Sequence, residues 1–245
     1  MHIQPTIFNR NLITAALSTR KGGVSQAPYT SLNLGKSTQD NPEHVQKNRE
    51  LFFGALGISM EKLTLSKQVH GTEVLTVNEP IITEGYDAMI TNKKDIFLAV
   101  SVADCVPILV FDKKNQAVAA IHAGWRGTAG KIVTKALEQM KAQYGTDGSN
   151  CYAFIGACIG YDKFEVGSEV AEQFEDAYKK TGNGDKFFVD LKTANAKQFE
   201  NFGFNRNHIE VLPYCTFGHN DLFFSHRKEN GITGRNMAVI GMKNA

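Results

Sequence analysis

The chain has 245 residues, of which 42% are hydrophobic and 21% are charged, a composition ordinary for a globular protein with a sizeable core. Its 27 basic and 25 acidic residues leave a net charge of +2, which is too even to indicate nucleic acid or an acidic membrane surface as a partner. No secretion-signal pattern opens the sequence, and no apolar run approaches the length of about 18 residues that a membrane span needs. We therefore expect a cytoplasmic protein whose four cysteines are reduced.

Four helices are predicted in chain order from capping residues and apolar periodicity. The first begins near Asn41, a good cap, with Pro42 in the first helical position. The second begins near Gly127 and ends at Gly145. The other two are predicted over residues 168–180 and from 190 to about 203.

Seven β-strands are predicted from apolar runs rich in β-branched residues. Several runs are apolar without alternation, which is typical of strands buried on both faces. Because helices and strands alternate throughout without a linker, we expect one mixed α/β domain over residues 1–245. The predicted strands are 73–77, 96–102, 106–111, 117–121, 152–155, 209–212 and 237–240.

Three short motifs at the edges of predicted strands contain metal-ligand side chains: QVHG at 68–71, ADC at 103–105 and HAGWRG at 122–127. Strand ends are rigidly held and can converge although they are distant in sequence, so His70, Cys105 and His122 are the candidate metal ligands and catalytic residues. Two imidazoles and one thiolate suit catalytic zinc, with a fourth position left for water or substrate. The spacing matches no compact zinc finger, so spacing alone is weak evidence.

Each of these residues also has an ordinary structural interpretation. His70 alone resembles a common loop histidine, and Cys105, next to an apolar run, resembles a small buried hydrophobe. The HAGWRG motif can be a tight turn in which Trp125 packs into the core.

Together the motifs make the chain resemble the laccase-domain family of YfiH-like proteins over nearly its whole length. Members are described as polyphenol oxidases, purine nucleoside phosphorylases and peptidoglycan-editing factors. Supporting motifs are STR at 18–20, GVS at 23–25, SLNLG at 31–35, NR at 48–49, the glycine-rich 155–160, FEVG at 164–167, SHR at 225–227 and GR at 234–235.

The resemblance implies that His70, Cys105 and His122 hold a zinc ion, although copper was claimed for the oxidase activity. It also implies phosphorolysis of adenosine, inosine, guanosine and S-methyl-5'-thioadenosine, and hydrolytic deamination of adenosine. The implied fold is a single α+β domain with mixed β-sheets flanked by helices, related to the fold of a deamidase toxin. Two departures stand out. YDKF at 161–164 replaces a cysteine-containing segment, so any role of those cysteines is absent, and His226 stands where the family often has tyrosine, which bears on substrate preference.

Further site residues are expected around this centre. Asp104 could move a proton or hold the base edge during deamination, or it could be a structural carboxylate. Arginines suit orthophosphate because the planar guanidinium pairs with two oxygens, although most arginines are solvated surface residues. The arginine candidates are Arg20, Arg49, Arg126 and Arg227, and the candidates for purine or ribose contacts are Asn33 and Gln68.

Four alternatives remain open from the sequence. A metal-free hydrolase would use Cys105 as nucleophile and a histidine as its base. A cytoplasmic peptidoglycan-editing hydrolase or a copper-dependent polyphenol oxidase would use the same three residues. A non-catalytic zinc protein would need a fourth side-chain ligand. The oligomeric state is not predicted.

Overall fold

A computed structural model describes residues 1–244. Within them, fifteen strands and five α-helices form a mixed α/β fold. The strands are β1 His2–Ile3, β2 Ile13–Ser18, β3 Leu63–Lys67, β4 Val74–Thr76, β5 Ile82–Glu84, β6 Ala88–Thr91, β7 Phe97–Val102, β8 Val106–Asp112, β9 Ala117–Ala123, β10 Cys151–Ile155, β11 Glu165–Val166, β12 Lys179–Thr181, β13 Phe187–Val189, β14 Ile209–Val211 and β15 Asn236–Met242. The helices are α1 Pro42–Ala55, α2 Trp125–Ala129, α3 Ile132–Tyr144, α4 Ser168–Ala171 and α5 Leu191–Asn201.

The strands form two large sheets and one small sheet. Sheet I has the order β1-β2-β15-β7-β3-β5, and sheet II has the order β14-β10-β8-β9-β6-β4. Both are mixed: β3 runs parallel to β5 and β7, and β4 runs parallel to β6, whereas β8 and β9 are antiparallel. The small sheet has the order β11-β13-β12.

Four layers stack in the order α1, sheet I, sheet II, and then α3 with α5. The two sheets pack face to face, and each has helices on its outer face. Strand β7 shows how the sequence supports this: Leu98 and Val100 face sheet II, while Phe97 and Ala99 pack against α1. Such strands are apolar at consecutive positions because both faces are buried. The prediction of mixed sheets flanked by helices is confirmed.

The predicted helix boundaries are confirmed where a cap determines them. The Asn41 side chain accepts a hydrogen bond from the Glu43 N–H at the start of α1. Gly145 adopts a left-handed conformation, with φ of 73°, at the end of α3. The helix predicted from Gly127 is interrupted, because Lys131 is also left-handed, with φ of 60°, and separates α2 from α3.

The helix predicted over residues 168–180 is wrong. Only α4 is helical there, and the chain continues through a 3-10 turn into β12. The ammonium of Lys179 donates to the carbonyls of Ala171 and Phe174, which a continuous helix would use for its own N–H groups. Only Lys179 and Lys180 of the predicted helix lie in β12, where they pair with β13.

None of the helices within residues 1–244 is both long and apolar enough to cross a membrane.

Candidate metal centre

The two loops that carry His70 and Cys105 both cross from sheet I to sheet II. His70 lies between β3 of sheet I and β4 of sheet II, and Cys105 lies between β7 of sheet I and β8 of sheet II. His122 is the penultimate residue of β9, where it pairs with Pro107. Because both crossings occur at the same end of the sheets, the three side chains meet there.

One ligand atom from each of these three residues lies within 4.8 Å of the other two. The Cys105 Sγ is 4.0 Å from Nδ1 of His70, and the two imidazole centroids are 4.8 Å apart. Zinc bonds of about 2.0–2.3 Å at tetrahedral angles would hold such atoms roughly 3.3–3.8 Å apart. Small side-chain rotations would therefore bring this set onto one ion, and the donor types suit zinc.

The cluster opens to solvent on one side. His70 is exposed, Cys105 is half-buried and His122 is buried. Among residues 1–244, no fourth histidine, cysteine or carboxylate joins the group. A closed structural zinc site needs four side-chain ligands, so this arrangement is typical of a site that keeps one position for water or substrate.

Asp87, which the sequence motifs did not indicate, lies directly behind two of the ligands. It is buried at 1% exposure, just before β6. Its Oδ1 lies 2.7 Å from Nδ1 of His122 and accepts the backbone N–H of His70. Because Nδ1 of His122 is engaged by Asp87, Nε2 is the nitrogen left to bind a metal. The only sequence signal was a single carboxylate ahead of an apolar run, which is too common to be informative.

The electrostatics of the cluster favour a thiolate. Burial raises the pKa of the Cys105 thiol, but the charge of His122 and hydrogen bonds from both imidazoles lower it to about 6. Burial lowers the pKa of His122, while the Cys105 thiolate and the Asp87 carboxylate raise it to about 9. A deprotonated sulfur is the form that binds zinc or acts as a nucleophile.

Comparison with known proteins was informative over almost the whole chain. Residues 14–243 match the family model described as multi-copper polyphenol oxidoreductase laccase. The chain belongs to this laccase-domain family.

Several relatives carry names that include an activity. The chain is 36% identical to a protein of Bacteroides thetaiotaomicron named purine nucleoside phosphorylase, with 93% of this chain and 91% of the relative covered. It is 37% identical to the Escherichia coli protein named purine nucleoside phosphorylase YfiH, with 93% of both chains covered. The crystal structure of YlmD from Geobacillus stearothermophilus matches with a TM-score of 0.91 at 31% identity, covering 95% of this chain and 92% of that one.

In this laccase-domain chain, Asp104 stands next to the cluster with φ of 80°. One carboxylate oxygen accepts the Thr216 hydroxyl, and the other accepts the Arg227 N–H at 2.7 Å. The side chain therefore ties two C-terminal loops to the turn that carries Cys105. These contacts fit the structural interpretation, and each oxygen keeps a second lone pair for a substrate.

The two predicted amide contacts lie in different surroundings. The Asn33 side chain is fully buried, and its amide accepts the N–H groups of Gly35 and Arg235 and donates to Thr38 and Asp40. That uses its whole hydrogen-bonding capacity, so nothing remains for a ligand. Gln68 exchanges two hydrogen bonds with the Ser101 backbone and fastens the His70 loop to β7.

Two of the predicted arginines, the partly buried Arg20 and the buried Arg49, have their guanidinium groups engaged by other parts of the chain. The guanidinium of Arg20 is paired with Glu229 and also donates to the carbonyls of Thr30 and Asn220. Arg49 is only 5% exposed, and its Nε donates to the Leu34 carbonyl. Burial lowers the pKa of Arg49 to about 10.

The other two predicted arginines are exposed. The Arg126 guanidinium lies over the Trp125 ring in α2, four residues after His122, and Arg227 donates to the Glu165 carbonyl near Asp104. Sequence reasoning missed a further arginine, the half-buried Arg235. Burial lowers its pKa, while the charges of Cys105 and Asp104 raise it, so its guanidinium lies in the electric field of the cluster.

Proposed function

We propose that this protein is a zinc-dependent enzyme of purine nucleoside metabolism. It uses orthophosphate to cleave adenosine, inosine, guanosine and S-methyl-5'-thioadenosine, and it deaminates adenosine by hydrolysis. The observation that carries the proposal is the solvent-open group of His70, Cys105 and His122 in a chain whose relatives are named purine nucleoside phosphorylases. The four free cysteines are consistent with a cytoplasmic location.

The residues favour zinc over copper. A blue-copper centre also uses two histidines and a cysteine, but it transfers electrons and has no need of a substrate position. Here the exposed His70 leaves a corner open to solvent, which a Lewis-acid ion requires. When bound, zinc supplies Lewis acidity and lowers the pKa of a coordinated water. His70, Cys105 and His122 would hold it.

Phosphorolysis breaks the bond between C1′ of the ribose and N9 of the purine and forms a bond from C1′ to a phosphate oxygen. The purine leaves with the bonding electron pair and takes up a proton. Orthophosphate must be held against the ribose while this happens. Arg126 is exposed and lies four residues after His122, and the backbone N–H of Arg227 donates to Asp104; the guanidinium groups of both have donors for phosphate. The positive charge of Arg235 would also attract orthophosphate.

Deamination adds water at C6 of adenine and releases ammonia, so a proton must move from the water to the leaving nitrogen. We assign this transfer to Asp104, which directly precedes Cys105 and is half-buried. Its contacts with Thr216 and Arg227 would hold the carboxylate in place during the transfer.

The test is incubation of metal-assayed protein with adenosine, with and without phosphate, followed by chromatography of the products. We expect adenine, hypoxanthine and ribose 1-phosphate only when phosphate is present, and inosine to accumulate when it is absent. Cys105→Ala should abolish all products. Cys151→Ala is the matched control, because Cys151 is buried in β10 outside the cluster. Product formation by Cys105→Ala would refute the site.

One observation favours a second candidate, a hydrolase with Cys105 as nucleophile. The pKa of Cys105, lowered to about 6 beside His122, is what such a nucleophile requires. A peptidoglycan-editing hydrolase would use the same chemistry. Incubation with amino-acid-bearing cell-wall precursors and, separately, with adenosine would distinguish this hydrolase from the nucleoside enzyme by the products formed. Oxygen uptake with a phenolic substrate would identify the copper-dependent oxidase.

A further inference from the structure

The carboxylate of Asp87 contacts two elements of the cluster at once. It accepts three consecutive backbone N–H groups, those of Val69, His70 and Gly71, at 3.1, 3.0 and 2.8 Å. Its Oδ1 also lies 2.7 Å from Nδ1 of His122. Four hydrogen bonds use the full acceptor capacity of one carboxylate. Asp87 is therefore committed to holding the loop and the imidazole.

The loop needs such a partner because its conformation is unfavourable. His70 has φ of 59°, in the left-handed region that residues with a Cβ rarely adopt. Conformations of this kind persist only where the surrounding structure over-determines them. The three N–H bonds to Asp87 span His70 on both sides and supply that constraint.

The imidazole needs the partner for a different reason. A neutral histidine carries its proton on one nitrogen and presents a lone pair on the other. In the neutral form that binds a metal, the Nδ1–H of His122 donates a hydrogen bond to Oδ1 of Asp87, and the lone pair is then on Nε2. The carboxylate thus determines both which nitrogen of His122 is available and where the ring lies.

We propose that Asp87 is the positioning residue of the metal centre, because it orients His122 through its side chain and His70 through its backbone. The inference rests on the proposed zinc site and deepens it. Asp87 lies behind the ligands and acts only through them. Loss of the carboxylate should therefore loosen two of the three ligands, His70 and His122, together.

Asp87→Asn is the most specific test, because it preserves the side-chain volume and replaces one carboxylate oxygen, a hydrogen-bond acceptor, by an NH₂ group. The amide oxygen of asparagine can accept hydrogen bonds from His122 or from the loop. The NH₂ group, which only donates, then faces the remaining N–H donors and cannot bond to them. We expect zinc affinity, measured by competition with a chelator, to fall about 10–100-fold. The visible spectrum of the cobalt-substituted protein should change as well, because the ligand geometry changes.

Asp112→Asn is the matched control. Asp112 is also fully buried in sheet II, and its Oδ1 accepts the backbone N–H groups of Lys114 and Asn115. It ends β8 and has no contact with the cluster. This variant should lose stability but keep the zinc affinity and cobalt spectrum of the unmodified protein. A folded Asp87→Asn protein that does the same would overturn the inference.

A measurement on the unmodified protein covers the case in which Asp87→Asn does not fold. Nitrogen-15 NMR of His122 should show a proton on Nδ1 both before and after zinc is added. A metal bond to Nδ1 would overturn the positioning role. Failure of the unmodified protein to bind zinc at all would instead overturn the proposed metal centre, and the inference with it.

Discussion

Gly124 faces the His70 imidazole so closely that a Cβ added at Gly124 would lie 2.9 Å from Nδ1 of His70. The same Cβ would lie 3.2 Å from the Cys105 Sγ. Gly124 does not need a left-handed backbone, since its φ is −71°, so space alone accounts for the glycine. The absence of a side chain here lets the end of β9 approach two of the three ligands.

Gly124→Ala should therefore weaken the metal site. The added methyl group must displace His70 or Cys105 by several tenths of an ångström, and metal centres tolerate little displacement of their ligands. We expect at least a tenfold loss of zinc affinity, measured by chelator competition. Gly54→Ala is the control, because nothing lies within 4 Å of its added Cβ in α1. That variant should gain up to about 1 kcal/mol of stability. Unchanged zinc affinity in Gly124→Ala would contradict the geometry of the cluster.

Alkylation of the metal-free protein should select Cys105 at mildly acidic pH. The thiolate is the reactive form, and His122 lowers the pKa of Cys105 to about 6. The rate at Cys105 should therefore rise as the pH increases through about 6 and level off above it. Burial raises the pKa of Cys158 to about 12, so Cys158 should stay unmodified at neutral pH. Mass spectrometry after brief iodoacetamide treatment measures the extent of modification at Cys105 and at Cys158. A rate at Cys105 that rises only near the pKa of an ordinary thiol would contradict the prediction.

Metal removal separates the zinc enzyme from the cysteine nucleophile. We expect thorough chelation to abolish phosphorolysis and deamination together, and added zinc to restore both, because the proposed function uses one ion for both reactions. Zinc should also protect Cys105 from alkylation, since the sulfur would be a ligand. Activity that survives chelation but is lost on alkylation would establish the nucleophile instead.

Arg126→Gln should separate the two reactions. Arg126 is exposed in α2 just after His122, and a charge-assisted hydrogen bond to phosphate contributes about 1.5–3 kcal/mol. The KM for orthophosphate should rise about tenfold or more, while deamination, which uses no phosphate, should keep its rate. Arg206→Gln is the control, because Arg206 is an exposed arginine paired with Glu200 outside the cluster. An equal loss of both reactions in Arg126→Gln would rule out a phosphate-specific role.

Asn33→Ala should destabilise the protein rather than weaken substrate binding. It leaves the N–H groups of Gly35 and Arg235 without their acceptor in a buried region. Each unsatisfied group costs about 1–3 kcal/mol, so the free energy of unfolding should fall by at least about 2 kcal/mol. Urea denaturation measures this loss. At a temperature where the variant remains folded, its KM for adenosine should match that of the unmodified protein. A raised KM with unchanged stability would restore the predicted substrate contact.

Eight strands were not predicted from the sequence, namely β1, β2, β3, β5, β6, β11, β12 and β13. Most are short, and their residues become strand-like only through pairing. Strand β12 is the clearest example, because its KKT sequence has little β propensity of its own and is held by β13. The helix predicted over 168–180 ends at Ala171 instead, and the Lys179 ammonium takes the carbonyls of Ala171 and Phe174 that further helical turns would need.

Local chemistry in the sequence was sufficient to identify the caps at Asn41 and Gly145, the strands buried on both faces, and the three motifs that carry His70, Cys105 and His122. These features depend on residues close together in the chain. Only the tertiary structure showed that both sheet crossings end at one place and that Asp87 holds His70 and His122. It also showed that every hydrogen-bonding group of the Asn33 side chain already has a partner in the protein. Each of these is a contact between residues far apart in sequence, and no local pattern encodes a partner that only folding brings near.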